Sequence, residues 1–269
     1  MNRCLTPLLE KLASATRAWL GAAEGPLILG LCGAQGSGKS TLATGLKSLM
    51  EQERKCTAIL SLDDLYFGRG ERAQLAETVH PLFRTRGVPG THDVTRGIAI
   101  LNAVKTGAPS SLPRFDKGQD EPLPQEEAVP APVDLLIFEG WCVGAQPETE
   151  VALLTPVNML ERDEDPDALW RRHVNRQLAG PYAELFARID RLVLLAAPDF
   201  AVVRRWRGEQ EDALRAQQGE AASRAMDAAQ LDRFVQHYER LTRHILAEMP
   251  ARADLVLPLD PDRRLRTSP

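Results

Sequence analysis

Residues 33–40 read Gly33-Ala34-Gln35-Gly36-Ser37-Gly38-Lys39-Ser40, followed by Thr41, and fit the pattern G-x-x-x-x-G-K-[ST]. Glycines at this spacing let backbone N–H groups turn toward one anion, and the start of a following helix adds its partial positive charge. A lysine beside the last glycine reaches the β- and γ-phosphates of a nucleotide, and the next hydroxyl is placed for Mg²⁺. An apolar run precedes the loop and a helical pattern follows it, which is the context this motif requires. Residues 33–41 are therefore expected to cradle the triphosphate of ATP, with Lys39 on the transferring end and Ser40 on the metal. Motors, switches and small-molecule kinases all use such a loop, so the remaining residues must decide among them.

Two acidic stretches bear on that choice. SLDDLYF, 61–67, puts Asp63 and Asp64 just past a short β-type run, at the edge where α/β sheets bind ligands. Adjacent residues point apart, so one of them, Asp63, is the candidate to accept a proton from an acceptor hydroxyl and to lie near the metal. Asp64 is left for support or for capping a helix. VDLLIFEGW, 133–141, ends a strongly apolar run in Glu139. Asp134 lies five residues earlier, about 16 Å away along a strand, and so faces the wrong end of the sheet. Glu139 is the carboxylate expected to order Mg²⁺ with Ser40 and Asp63.

Three further segments carry candidate cations. RGVPGTHD, 86–93, holds Arg86 and His92 in a Pro-Gly turn, with Asp93 placed to cap the next helix. LPRFDKGQDEP, 112–122, alternates charges around Phe115 and offers Arg114 and Lys117. VVRRWRGEQE, 202–211, places Arg204 and Arg207 three residues apart on one helix face. A lid helix carrying them would stabilise charge developing during transfer; ordinary pairing with Glu209, Glu211 or Asp212 is the competing reading. Trp141 follows Glu139-Gly140 closely enough to line the site.

The elements that must position these residues alternate. Strand patterns fall at 27–32, 57–61, 133–139, 191–198 and 253–259, and helical patterns at 39–50, 94–105, 167–178, 200–215 and 230–249. Apolar-run strands alternating with helices predict an α/β fold, a mostly parallel sheet covered on both faces. Between 105 and 133 lie six of the chain's 19 prolines, and a long irregular loop of this kind is usually functional. The N-terminal residues 1–24 carry Leu5, Leu8, Leu9 and Leu12 at helical spacing, broken by Glu10 and Lys11, and read as an amphipathic helix.

Length and composition set the outer bounds. The chain has 269 residues, 43% of them hydrophobic and 26% charged, enough for one large domain with inserted loops. A net charge of −4 gives no footprint for nucleic acid or an anionic membrane. No run approaches about 20 apolar residues. Cys4, Cys32, Cys56 and Cys142 show no CxxC pair or zinc spacing, which suits a reducing cytoplasm; the partner expected from the loop and acidic segments is a small-molecule substrate.

Taken together, the loop at 33–40, the DD of SLDDLYF, Glu139-Gly140 and the arginine-rich lid resemble the phosphoribulokinase, uridine kinase and pantothenate kinase group. More narrowly, SLDDLYF, RGVPGTHD, LPRFDKGQDE, FEGWCVG, WRGEQE and FVQHYERL together are similar to the D-glycerate 3-kinase and kinase-like family, over residues 30–259. That resemblance implies a three-layer P-loop kinase fold over residues 1–269, with a substrate loop at 106–132 and a lid at 200–225. It implies transfer of the γ-phosphate of ATP to a hydroxyl, with Asp63 as base and Ser40 and Glu139 serving the metal. Phe115 stands where the family usually has tyrosine, and Gly118 where many members have serine, so the acceptor is less fixed than the reaction class. A kinase for another small alcohol, or a regulatory NTPase, are the alternatives.

Overall fold

The computed structural model describes residues 6–129, 131–218 and 227–266. Cys4, Leu5 and the 219–225 end of the expected lid lie outside the described residues.

Five strands form one sheet in the order β2-β7-β1-β8-β9: β1 (Leu27–Gly33), β2 (Thr57–Ser61), β7 (Leu135–Gly140), β8 (Arg191–Ala196) and β9 (Leu255–Pro258). Every pairing among them is parallel. β1 and β7 are buried along their whole length, which is why they read as unbroken apolar runs and not as alternating ones. Successive side chains point to opposite faces. Ile28, Cys32, Leu136, Phe138 and Leu194 pack under α4 (Val94–Thr106), α7 (Pro181–Phe186) and α9 (Ala228–Glu248) through Leu101, Tyr182 and Tyr238. Leu29, Leu31, Leu135, Ile137 and Leu195 pack against α1 (Thr6–Ala22), α2 (Lys39–Gln52) and α8 (Ala201–Gln218) through Leu12, Leu46 and Trp206. Those two layers on one sheet are the expected α/β/α architecture.

Two of the departures from the sequence reading bear on the site. The 106–132 stretch is not an irregular loop. It folds into two nested antiparallel pairs, β3 (Ser110–Leu112) with β6 (Glu127–Val129) and β4 (Phe115–Asp116) with β5 (Glu121–Pro122). The prolines are tolerated because such short pairs are all edge. Asp116 Oδ1 closes the inner turn by accepting the Gly118 and Gln119 amides at 2.8 and 2.9 Å. The other departure is α3 (Arg69–Thr78), which buries only Arg72 and Ala76 and so carries no apolar stripe for periodicity to detect. Its first turn is fixed by the Gly68 amide donating to Glu71 Oε2 at 3.1 Å.

Candidate active site

Strand register brings the acidic segments to the phosphate loop. Ser61 of β2 and Leu31 of β1 both lie opposite Glu139 of β7. Asp63 follows two residues after Ser61, and the glycine loop begins two residues after Leu31, so β2, β7 and β1 deliver their cargo to one edge. Asp134 sits at the other end, where its carboxylate accepts the Cys56 amide at 2.7 Å.

Gly38, in the left-handed region at φ 90°, caps α2 with no side-chain hydrogen bond. The first-turn amides of Lys39, Ser40 and Thr41 therefore lack a capping side chain and remain an anion-binding terminus. Gly36 also has φ +75°, and a Cβ there would lie 2.6 Å from the Trp206 Cβ, so glycine is required for both conformation and space. The turn is closed by the Ser37 amide donating to Ala34 O at 3.1 Å.

Ser40 Oγ donates to Glu139 Oε1 at 2.9 Å. Glu139 is 4% exposed, and its Oε2 has no hydrogen-bond partner. A buried carboxylate oxygen left unpaired is costly, and a hydroxyl beside it completes an oxygen donor set suited to a hard divalent cation. Among the described residues no cluster of three or more His, Cys, Asp or Glu could hold a metal. Ser40 and Glu139 would thus be the protein's share, with phosphate and water oxygens completing the shell, as Mg²⁺ prefers.

Asp63 has both oxygens engaged elsewhere. Tyr66 donates its hydroxyl to Oδ1 at 2.8 Å, and Lys117 Nζ lies 2.5 Å from Oδ2. Burial pushes the carboxyl up, but the opposing charges of Lys117 and Lys39 outweigh it and hold Asp63 below the usual carboxylate range. Lys39 is thus within electrostatic reach of the candidate base. Asp64 turns away, taking Arg114 Nη1 at 3.1 Å and the Phe115 amide at 3.1 Å. It pins the β3–β6 and β4–β5 insert to the sheet edge. Burial raises its carboxyl, with Arg114 opposing.

The remaining site candidates separate into those that face Asp63 and those that hold the walls. Lys117 faces it. Arg86 lies near by: it pairs with Asp120, reaches Lys117 O at 3.4 Å, and lies over the Phe115 ring at 5.6 Å. His92 stacks on Tyr66 at 4.5 Å, its Nδ1 is 2.5 Å from the Tyr182 hydroxyl, and its buried Nε2 has no hydrogen-bond partner. Burial lowers the imidazole to about 3, with Asp63 opposing, so His92 is neutral at physiological pH. Arg114 is committed to Asp64 and Glu127. Trp141 is 2% exposed, and its indole N–H donates to Gly87 O at 2.8 Å; it braces the RGVPGTHD turn from behind. The two lid arginines differ. Arg204 pairs with Asp232 across to α9, whereas Arg207 lies over Phe234 at 5.4 Å and feels the buried Tyr238 near Arg86.

Sequence reading missed two aromatic partners of the site. Tyr66 stands three residues after Asp63, just past the single 3-10 turn Leu62–Leu65, and that spacing was the available signal. Tyr238 reaches Arg86 O at 3.0 Å from 152 residues away, which no local pattern reveals.

Known proteins resemble this arrangement. A Schizosaccharomyces pombe protein described as an uncharacterized kinase is 36% identical over 225 residues, covering 79% of this chain and 78% of its own. The chain belongs to the P-loop kinase family that includes the D-glycerate 3-kinases. The chloroplastic D-glycerate 3-kinase of Arabidopsis thaliana is 28% identical over 88% of this chain, which spans about half (53%) of that longer relative. The structure of D-glycerate 3-kinase from Cryptococcus neoformans superposes with a TM-score of 0.81, at 24% identity and with 97% of this chain and 98% of that chain covered; at that identity the likeness shows the fold. No family model matches. Among the described residues no helix is long and apolar enough to cross a membrane.

Proposed function

We propose that this P-loop kinase transfers the γ-phosphate of ATP to a hydroxyl of D-glycerate, giving 3-phosphoglycerate. The observation that carries the acceptor class is the Lys117–Asp63 contact: a mobile-reach cation, its side chain 60% exposed, stands beside the candidate base, with the Arg86 guanidinium 3.4 Å from the Lys117 backbone carbonyl. A small hydroxy acid needs that pair of features within a few ångströms of each other. The name borne by the Arabidopsis relative supports the same acceptor.

In this reading the amides of residues 34–41 hold the triphosphate and Lys39 lies against its β- and γ-oxygens. A Mg²⁺ held by Ser40 and Glu139 would neutralise phosphate charge when bound. The acceptor carboxylate takes Lys117 in place of Asp63, and Arg86, paired with Asp120, adds positive charge beside it. The released Asp63 receives the proton of the 3-hydroxyl as its oxygen forms the new bond to phosphorus. The bond from phosphorus to the leaving oxygen of ADP breaks, and Arg207, which lies over Phe234 while Arg204 pairs with Asp232, is the arginine of α8 assigned to the charge that develops. His92 stays neutral behind Tyr66.

The test is ADP formation with a panel of D-glycerate, L-glycerate, pantothenate, uridine and glycerol, followed by assignment of the phosphorylated carbon by phosphorus–proton correlation. D-glycerate should give the highest kcat/KM, with phosphate on carbon 3. Preference for another alcohol would move the enzyme elsewhere in its family. Slow hydrolysis that no acceptor stimulates would indicate a regulatory NTPase.

A further inference from the structure

The C-terminal residues after β9 form a tight turn, closed by bridging of Leu259 to Leu265 and by the Asp260 amide donating to Arg264 O at 2.8 Å. Asp260 Oδ1 accepts the amides of Asp262 and Arg264, each at 2.8 Å. Arg263 sits at the tip of this turn with φ +63°, a left-handed conformation that a bulky residue rarely adopts and that signals a constraint worth explaining.

Its side chain explains the constraint. Arg263 Nε donates to the carbonyl of Gly36 at 2.5 Å, across 227 residues of sequence. One Nη reaches Glu209 of α8 at 2.6 Å, and the guanidinium lies over the Trp206 ring at 5.1 Å. Trp206 returns the contact: it is fully buried, its indole N–H donates to Pro261 O at 2.8 Å, and its Cβ occupies the space a side chain at Gly36 would need. Arg205 adds an ion pair to Asp262 at 3.4 Å. Phosphate loop, α8 and C-terminal turn are thus three bodies meeting at one guanidinium.

We infer that Arg263 is a positioning residue for phosphoryl transfer: it fixes the Ala34–Ser37 turn of the phosphate loop and ties that turn to the arginine-bearing helix α8. With the Gly36 carbonyl held outward by a cation, the turn cannot flip and present an acceptor oxygen toward the phosphates. The bond to Glu209 makes the position of α8, and of Arg207 on it, depend on the same group. A planar, always-charged fork serves this task; an ammonium can hold one partner but cannot stack and bridge as well. The inference needs nucleotide binding at residues 33–41 but not the identity of the acceptor.

The experiment compares Arg263→Met and Arg263→Lys with the unaltered full chain, reading MgADP affinity by calorimetry, the KM for ATP and for D-glycerate, and apo melting temperature. Arg263→Met should weaken MgADP and raise the KM for ATP about tenfold, while the KM for D-glycerate stays within about twofold and melting is unchanged; Arg263→Lys should recover part of the nucleotide loss. MgADP affinity is read without an acceptor, so a wrong acceptor leaves this arm intact. Nucleotide affinity like that of the unaltered chain in Arg263→Met would overturn the inference. So would equal loss for both substrates together with a lowered melting temperature, because that marks a merely structural contact. If Arg263→Met does not fold, Glu209→Gln, which removes the Arg263 and Arg205 ion pairs to that carboxylate and spares the bond to Gly36 and the stacking on Trp206, should show the same split at about threefold, and no change there would likewise overturn it.

Discussion

Lys117 and Tyr66 divide the carboxylate of Asp63 between them: Nζ lies 2.5 Å from Oδ2 and the phenol donates to Oδ1 at 2.8 Å. A carboxylate held in this way is ionised and oriented, and in the proposed reaction it stays occupied until an acceptor draws the lysine off. Asp63→Asn preserves shape and removes proton acceptance. It should leave MgATP affinity near normal and lower kcat by about 10² or more. Unaltered turnover, measured by coupled ADP release, would remove Asp63 from the chemistry.

The lysine has a distinguishable effect. Lys117→Met should raise the KM for D-glycerate at least about tenfold with little change in the KM for ATP, since one charge-assisted contact is lost from the acceptor. It should also alter the pH profile. Lys117 and Lys39 hold Asp63 below its ordinary range, so in the unaltered enzyme Asp63 stays ionised across neutral and mildly acidic pH and sets no acid limb there. Removing Lys117 leaves burial less opposed, the carboxyl rises, and the acid limb of kcat/KM, which reports the free enzyme, moves to higher pH. An unchanged profile would show that Lys117 does not govern the base.

Glu139 and Ser40 carry the metal prediction. Glu139→Gln keeps the hydrogen-bonding shape but exchanges a carboxylate oxygen for an uncharged group at the orphaned position. The Mg²⁺ concentration giving half-maximal rate should rise about 10- to 100-fold, with melting of the apo protein unchanged, because the position altered has no hydrogen-bond partner to lose. An unshifted Mg²⁺ dependence would place the ion elsewhere.

Much of this site could be read before folding, and what could not has a common cause. The glycine loop, Asp63 and Glu139 are local: each is a residue type at the end of an apolar run, and strand register alone brings them together. The proline-rich insert was legible as a break in the strand–helix alternation but not as paired strands, because two- and three-residue strands leave no alternation to detect. Arg114 shows the limit of reading charge from sequence, since a cation beside the site turned out to be spent on Asp64 and Glu127. Trp141 shows it for proximity, since closeness in sequence to Glu139 did not decide which way the indole faces. Tyr238 and Arg263 come from α9 and the C-terminal turn, and only tertiary packing aims them.

Buried histidines make acid stability predictable. Burial lowers His92 to about 3, with Asp63 opposing. It also lowers His237 to about 4, helped by Arg233 and opposed by backbone acceptors and Glu164. Both folded values lie below the ordinary 6.5, so the unfolded chain binds more protons between them, and stability falls as pH drops through that interval. Stability should therefore be at its plateau with respect to these groups above about pH 6.5 and decline toward pH 4, by up to about 1.4 kcal/mol per histidine per pH unit. Asp63 does not contribute in that window, because its own loss begins only below the ordinary carboxylate value. Denaturant titrations at a series of pH values check this, and His237→Asn should flatten the slope. A pH-independent midpoint between 6.5 and 4 would contradict the neutral buried state.

Gly87 tests how firmly the substrate wall must be set. Its φ is +135°, and a Cβ there would lie 2.1 Å from the Tyr238 hydroxyl oxygen. That hydroxyl is not free to retreat, since it donates to Arg86 O at 3.0 Å, and the Gly87 carbonyl is held by the Trp141 indole at 2.8 Å. Gly87→Ala therefore combines a disfavoured backbone with overpacking against a tied aromatic, and should destabilise by about 2–4 kcal/mol, lowering the melting temperature by roughly 5–10 °C in a chain of this size. Gly70 supplies the contrast: it lies within α3 and a Cβ there meets nothing within 4 Å. Gly70→Ala should be neutral or stabilising by about 0.5–1 kcal/mol. Because Arg86 moves with Gly87, the surviving Gly87→Ala enzyme should also show a raised KM for D-glycerate and an unchanged KM for ATP. A Gly87→Ala protein that melts like the parent would mean the Tyr238–Arg86–Trp141 brace is loose, and that the wall it forms is not preset for the acceptor.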